Sequence, residues 1–371
     1  MIVTESVPTT STGIELLRSN LRKSNIPSLD GLRAISVTLV ILLHKGVPYV
    51  PNVHGVLTFF VLSGFLITWL LLNESERTGT VSIRNFYLRR ALRIFPAFYV
   101  FWFLSLGFRL LTHGSLSHAG WIDYGMAFFY ISDYRHTPAH MQPLIGHTWS
   151  LSVEEKFYLI WPLTFLLFQR DLRKLTWILI AVIGAVYIYR NILFFGFHVG
   201  EGHLHFSFDS RADHLFIGCL LAILLKREAL DGFWSAIISQ PWMPVITLAL
   251  LIGSIALGFR YRYPYKYAVG FSLDAILIAI FLVQVVALAG SPLWSWLNWP
   301  SVRFIGRISY PLYLYHTFAT ELTQYLFHGF KVRFTAPAGV LVGVLIASGS
   351  YFVVEKPFLR LKSRMQRMEA P

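Results

Sequence analysis

The chain has 371 residues, of which 55% are hydrophobic, 16% aromatic and only 14% charged, a composition far too apolar for an ordinary soluble domain. It reads as an all-α, polytopic membrane protein, and its single cysteine, Cys219, excludes a disulfide framework and a cysteine metal cluster. The formal net charge of +13 does not call for nucleic acid, because Lys and Arg collect in the cytoplasmic loops of membrane proteins.

Hydropathy predicts about ten spans, near residues 33–50, 56–73, 94–112, 150–168, 176–195, 212–225, 242–259, 268–289, 304–327 and 336–354. Each reaches or approaches the roughly 20 residues that a crossing helix requires. Residues 1–28 are expected to form a cytoplasmic segment, 29–355 the transmembrane domain and 356–371 a basic cytoplasmic tail. The polar N-terminus carries no cleavable pattern, so the first span is expected to act as the insertion signal. With both termini cytoplasmic, about 21 of the 32 basic residues fall on the cytoplasmic side, which favours this orientation over its inverse. No internal repeat is visible, and an inverted-repeat transporter therefore has no sequence support.

The first span, SLDGLRAISVTLVILLH, places Arg33 and His44 eleven residues apart. At about 100° per residue they share a helical face, separated by about 16 Å of rise. Ionisable groups inside a span cost about 2.5–3.5 kcal/mol each on insertion scales and usually face a cavity or a partner. Next comes SIRNFYLRRALRIFP, where Arg90 and Arg93 share a helical face beside Arg89. Such guanidinium clusters suit phosphate, although residue types alone favour an ordinary stop-transfer cluster or a contact with anionic lipid.

Two segments expected outside, 113–148 and 196–210, carry His136, His140, His147, His198, His203 and His205. Their spacing matches no recognised ligand pattern, so interfacial loop histidines are expected rather than a metal site. In HTWSLSVEEKFYLIWP, Trp149 precedes Ser152 and Glu155, whose S-x-x-E spacing is that of a capping box. A carboxylate there could instead orient the His44 imidazole. Further on, DSRADHLFIGCLLA brings Arg211, Asp213 and His214 to the start of the sixth span, where ion pairing is the ordinary reading. Asp274 in the eighth span has no evident partner nearby in sequence, and GRISYPLYLYHTFATEL puts His316 and Glu321 at membrane depth. Trp149, Arg211, Asp213 and His316 are the candidates for contact with a substrate.

In these blocks the chain resembles the membrane acyltransferase 3 family of bacterial O-acyltransferases. The resemblance rests on LDGLRA followed by His44, FFVLSGFLIT, FYLRRALRIFP, HTWSLSVEEKFYLIWP, SRADHLFIGCLLA, GRISYPLYLYH and VEKPF, in that order along nearly the whole membrane region. It implies transfer of an acyl group, commonly acetyl, from acyl-CoA to a hydroxyl of a carbohydrate or another secreted acceptor. The family's Arg-x10-His motif maps onto Arg33 and His44, with His44 the expected catalytic base. Its Arg-x-x-Arg element maps onto Arg90 and Arg93, which would handle CoA phosphates from the cytoplasm, and its Ser-x-x-Glu element onto Ser152 and Glu155. The implied donor is acyl-CoA used as a substrate, with no tightly bound cofactor and no metal. Lys45, beside His44, is a charge that this reading leaves without a role. A transporter of a lipid-linked saccharide, with His44, Asp274 and His316 as relay groups, is the rival class, but it leaves the ordered motifs unexplained.

Overall fold

The computed structural model describes residues 13–23, 26–51, 53–135, 142–327 and 332–361. His136, His140 and the tail residues Lys362, Arg364 and Arg367 lie outside the described residues. Among the described residues there are helices and no strand. In chain order they are α1 (Gly13–Arg22), α2 (Pro27–His44), α3 (His54–Thr78), α4 (Ile83–His113), α5 (His118–Phe128), α6 (Trp149–Phe168), α7 (Leu172–Asn191), α8 (Glu201–Phe206), α9 (Phe208–Lys226), α10 (Asp231–Ile237), α11 (Met243–Tyr265), α12 (Phe271–Leu288), α13 (Pro300–Arg307), α14 (Ser309–Leu326) and α15 (Val332–Ser350).

Six stretches are long and apolar enough to cross a membrane, and one of them, Met243–Leu288, holds both α11 and α12. The molecule is thus a multi-pass membrane protein. Helices α6, α9 and α14 occupy three further expected spans but are not among the apolar six, so length and apolarity alone do not carry the expected count of ten. Each of the three carries buried or half-buried charged or polar groups, among them Glu154 on α6, Asp213 on α9 and His316 on α14.

Close backbone approach explains three of the glycine-bearing motifs. A Cβ on Gly64 would lie 1.9 Å from the Leu215 carbonyl oxygen, and one on Gly218 would lie 2.1 Å from that of Val61. Helices α3 and α9 therefore touch main chain to main chain, as small residues permit in membrane bundles. A Cβ on Gly306 would likewise fall 1.9 Å from the Asp30 carbonyl, which brings α13 against the first turn of α2, and Arg307 lines the same cavity as Arg33.

The N-terminal segment folds onto the bundle through α1. Leu17 and Leu21 are buried, the Asn20 amide donates to the Val286 carbonyl at 2.8 Å and the Trp69 indole donates to that of Leu21. Helix α4 starts earlier than the expected span, with the Ser82 hydroxyl accepting from the Asn85 amide at its N-cap. It continues through Pro96, so Arg90 and Arg93 sit on a helix rather than in a loop. Helices α11 and α12 fold back on each other at Arg262, which has φ 51° and ψ −131°. The Tyr265 hydroxyl then lies 2.8 Å from that of Ser254 across the reversal.

Candidate active site

Helix α2 contributes to two cavities, one at each end. Around Arg33 lies a cavity of about 320 Å³, the arginine chamber. Arg33, Arg90, Arg93 and Arg307 line it together with Asp30, Glu154, Glu155 and Glu355. At the other end His44 lines a cavity of about 200 Å³ with His147, Trp149, His205 and Phe206, the histidine chamber. Val56 and Tyr313 line both cavities and form their shared wall. The Tyr313 hydroxyl donates to the His147 carbonyl at 2.7 Å and lies 2.5 Å from the Ser150 hydroxyl, so this wall is held in place by the start of α6.

The arginines divide as the helical period requires. Arg89 turns away from the chamber to pair with Glu74 at 2.7 Å, whereas Arg90 and Arg93, three apart, both line it. The Arg90 guanidinium lies 3.7 Å from the centroid of the Tyr158 ring, and the Tyr158 hydroxyl donates to Glu154 at 2.7 Å. Among the described residues Arg33 has only a long contact to Asp30, 3.8 Å, which leaves its planar donor fork open to an anion.

In the histidine chamber the His44 Nδ1 lies 2.9 Å from the Val40 carbonyl oxygen. That oxygen can only accept, so neutral His44 carries its proton on Nδ1 and its lone pair on Nε2. The His316 Nδ1 bonds in the same way to the Tyr313 carbonyl at 2.6 Å. The His316 ring centroid is 4.7 Å from that of His44 and 4.8 Å from that of His147, both edge to face, a packing that fixes ring orientation. Burial, then the cations Lys266 and Arg211, hold the His205 imidazole well below its usual range. Its neutral Nδ1 accepts from the Lys266 ammonium at 3.0 Å.

Several candidates from the sequence stand elsewhere than expected. Ser152 is not a helix cap: Thr148 occupies that position, and the Ser152 hydroxyl, inside the helix, accepts from the Ser132 amide at 3.1 Å. It anchors the segment before α6 and lines neither chamber. Glu155 lines the arginine chamber, not the histidine one, and the bond that sets the His44 tautomer comes from Val40 in its own helix. Trp149 does line the histidine chamber.

Arg211 and Asp213 line neither chamber and are fully buried. The Arg190 guanidinium donates to Asp213 at 2.9 Å, to the Ser210 carbonyl at 2.9 Å and to the Ser272 hydroxyl at 2.6 Å, while Arg211 stacks 3.9 Å from the Phe271 ring centroid. Removing one partner of a buried ion pair costs about 3–5 kcal/mol, because the other charge stays buried. Asp213→Ala is therefore expected to lower the unfolding midpoint of the detergent-solubilised protein, with Arg190→Met/Asp213→Leu recovering much of the loss. An Asp213→Ala protein that unfolds like the wild type but binds its acceptor poorly would make Asp213 a substrate contact instead.

Sequence reasoning missed His147, read as a loop histidine, and Arg190, which lies inside an apolar span. His147 could have been found from its place at the head of the HTWSLSVEEKFYLIWP block. Lys45 has a partner, donating to the Thr320 hydroxyl at 2.7 Å. Asp274 has two: the His54 Nε2 at 2.8 Å and the Ser254 hydroxyl at 2.5 Å.

Residues 26–353 match the family described as an acyltransferase domain. The chain belongs to this acyltransferase family. It is 29% identical over 308 residues to the peptidoglycan O-acetyltransferase OatA of Listeria monocytogenes, covering 78% of this chain and 49% of that protein. It is 30% identical over 351 residues to the putative peptidoglycan O-acetyltransferase YrhL of Bacillus subtilis, covering 90% of this chain and 54% of that protein. The O-acetyltransferase OatA of Staphylococcus aureus is 28% identical over 350 residues, covering 90% of this chain and 57% of its own. The chain thus spans about half the length of these curated relatives. No solved structure matches it.

Proposed function

We propose that the protein is an integral-membrane O-acyltransferase that moves an acyl group, acetyl in the first instance, from acyl-CoA to a hydroxyl of a carbohydrate. The observation that carries this reading is the shared Val56–Tyr313 wall between a chamber of four arginines and a chamber holding a histidine with a free Nε2. The arginine end of the bundle faces the cytoplasm, in keeping with the basic residues gathered there. Arg33, Arg90 and Arg93 hold the phosphates of CoA, and the pantetheine arm passes Tyr313 to bring the thioester to His44.

The acceptor hydroxyl oxygen attacks the thioester carbonyl carbon while its proton moves to His44 Nε2. The C–S bond then breaks, the new ester forms, and the imidazolium returns the proton to the departing thiolate, giving CoA thiol. His147 and His316 hold the His44 ring in position. The names of the relatives support an acetyl group and a cell-wall glycan as acceptor.

The test uses purified protein in lipid vesicles, labelled acetyl-CoA and a soluble glycan acceptor. Label is expected to appear in base-labile ester linkage on the glycan. Glycan crossing the vesicle membrane with no acetyl-CoA present, and no label transfer with it, would overturn the enzyme in favour of a transporter.

A further inference from the structure

We propose that the cavity between α11, α12 and the start of α3 binds an anionic saccharide and presents one of its hydroxyls to His44. This rests on the acyltransferase reading above and gives it an acceptor site. The cavity has a volume of about 300 Å³ and lies next to the histidine chamber, with Pro51 and Val53 lining both. A second link runs through Lys266, which lines this cavity and donates to His205 of the histidine chamber. Pro51 and Val53 thus stand between a molecule seated here and the chamber that holds His44.

The lining matches the chemistry of an acidic sugar. Arg262 and Lys266 supply two cations. The Lys266 ammonium spends one donor on His205 and keeps two. The exposed Arg262 stands at the reversal between α11 and α12 in a left-handed backbone conformation. A non-glycine residue held there is the kind of local strain that clusters at ligand sites.

Of the nearby carboxylates, Asp274 is engaged by His54 and Ser254, and Glu201 on α8 partly offsets the charge of Lys266. Phe259 and Tyr263, both exposed, offer aromatic faces to the apolar side of a sugar ring. His54 is 8% exposed, and its Nδ1 has no hydrogen-bond partner. With Nε2–H directed at Asp274, Nδ1 is a buried acceptor, unpartnered among the described residues, on a side chain that lines the cavity. A ligand that accepts from Arg262 and Lys266, stacks on aromatics and donates to His54 is a saccharide carrying a carboxylate or a phosphate.

Binding is measured on the intact protein in phosphatidylcholine nanodiscs. The probes are the peptide-free disaccharide of N-acetylglucosamine and N-acetylmuramic acid with its free carboxylate, its carboxamide, and its 1-phosphate carboxamide. The proposal expects at least one of the two anionic forms to bind about tenfold or more tightly than the neutral carboxamide, in line with a charge-assisted contact. Which of the two is preferred identifies the anion. In Arg262→Gln/Lys266→Gln that preference falls to about one, while affinity for CoA, which measures folding, stays at the wild-type value.

Equal affinity for all three probes in the wild type overturns the proposal, and so does no binding, or a preference that survives in the double variant. Loss of the preference when phosphatidylglycerol is added to the nanodisc assigns the site to lipid headgroups and also overturns it. None of these readouts needs turnover, so failure of the acyltransferase reading shows separately, as absent label transfer with selective glycan binding intact.

Discussion

His44→Ala is expected to reduce acyl transfer by about 10²–10⁴-fold, the usual contribution of a positioned general base, while affinity for the donor stays close to that of the wild type. The two effects separate because His44 and the arginines occupy different chambers. His44 is also the group whose free nitrogen faces a cavity of modest size, since Nδ1 is committed to Val40. His44→Gln sharpens the test: its amide can still donate to a backbone carbonyl, but it has no basic nitrogen, so it is expected to fold like the wild type and be as inactive as alanine. Stopped-flow or radiolabel assays of transfer, paired with equilibrium binding of CoA, check both statements. Transfer retained within a few fold in His44→Gln would remove proton abstraction by His44 from the mechanism.

A covalent route makes a distinguishable prediction for the same residue. If His44 Nε2 itself attacked the thioester, acyl-histidine would form before the acceptor bound, and kinetics would be ping-pong. Denaturing gels of protein incubated with labelled acetyl-CoA alone are expected to show no label on His44, because the direct transfer proposed above needs the acceptor hydroxyl as nucleophile.

What could be read from the sequence was mostly what a single helix determines. Arg33 and His44 lie eleven residues apart on α2, and Arg90 and Arg93 three apart on α4; helical periodicity alone put each pair on one face, and each member does line a cavity. The same argument separates Arg89, which pairs with Glu74 away from the chamber. What the sequence hid was partnership between helices. Asp213 is held by Arg190 of α7 and Asp274 by His54 of α3, contacts 23 and 220 positions apart in sequence that no local pattern reports.

The S-x-x-E reading failed for a related reason. A 3-10 turn over Gly146–Thr148 starts the helix before the motif, so Ser152 falls inside α6 and its hydroxyl serves the neighbouring segment. The short sixth span lengthened to the 19 residues of α9: its first turn, which hydropathy had excluded, holds Asp209, bonded by the Tyr189 hydroxyl, and the Ser210 carbonyl, which accepts from Arg190.

Arg90→Gln and Arg93→Gln are each expected to raise the KM for acyl-CoA by about 10- to 150-fold, corresponding to the roughly 1.5–3 kcal/mol of a charge-assisted hydrogen bond to phosphate. At saturating donor kcat should change little, because neither residue is near the histidine chamber where the proton moves. Arg89→Gln is the internal control: it has the same charge change one residue from Arg90, but its guanidinium is paired with Glu74 outside the chamber, and its KM is expected to stay within about twofold of the wild type. The control also separates specific phosphate recognition from a general fall in positive potential at this end of the bundle, which would move all three variants alike. Arg90→Lys discriminates further. Lysine keeps the charge but not the planar fork that lies over the Tyr158 ring, so partial recovery of KM is expected, short of the wild type. Steady-state titrations of acyl-CoA for the four variants in one lipid composition decide the matter: KM unchanged in both Arg90→Gln and Arg93→Gln would move the donor out of the arginine chamber.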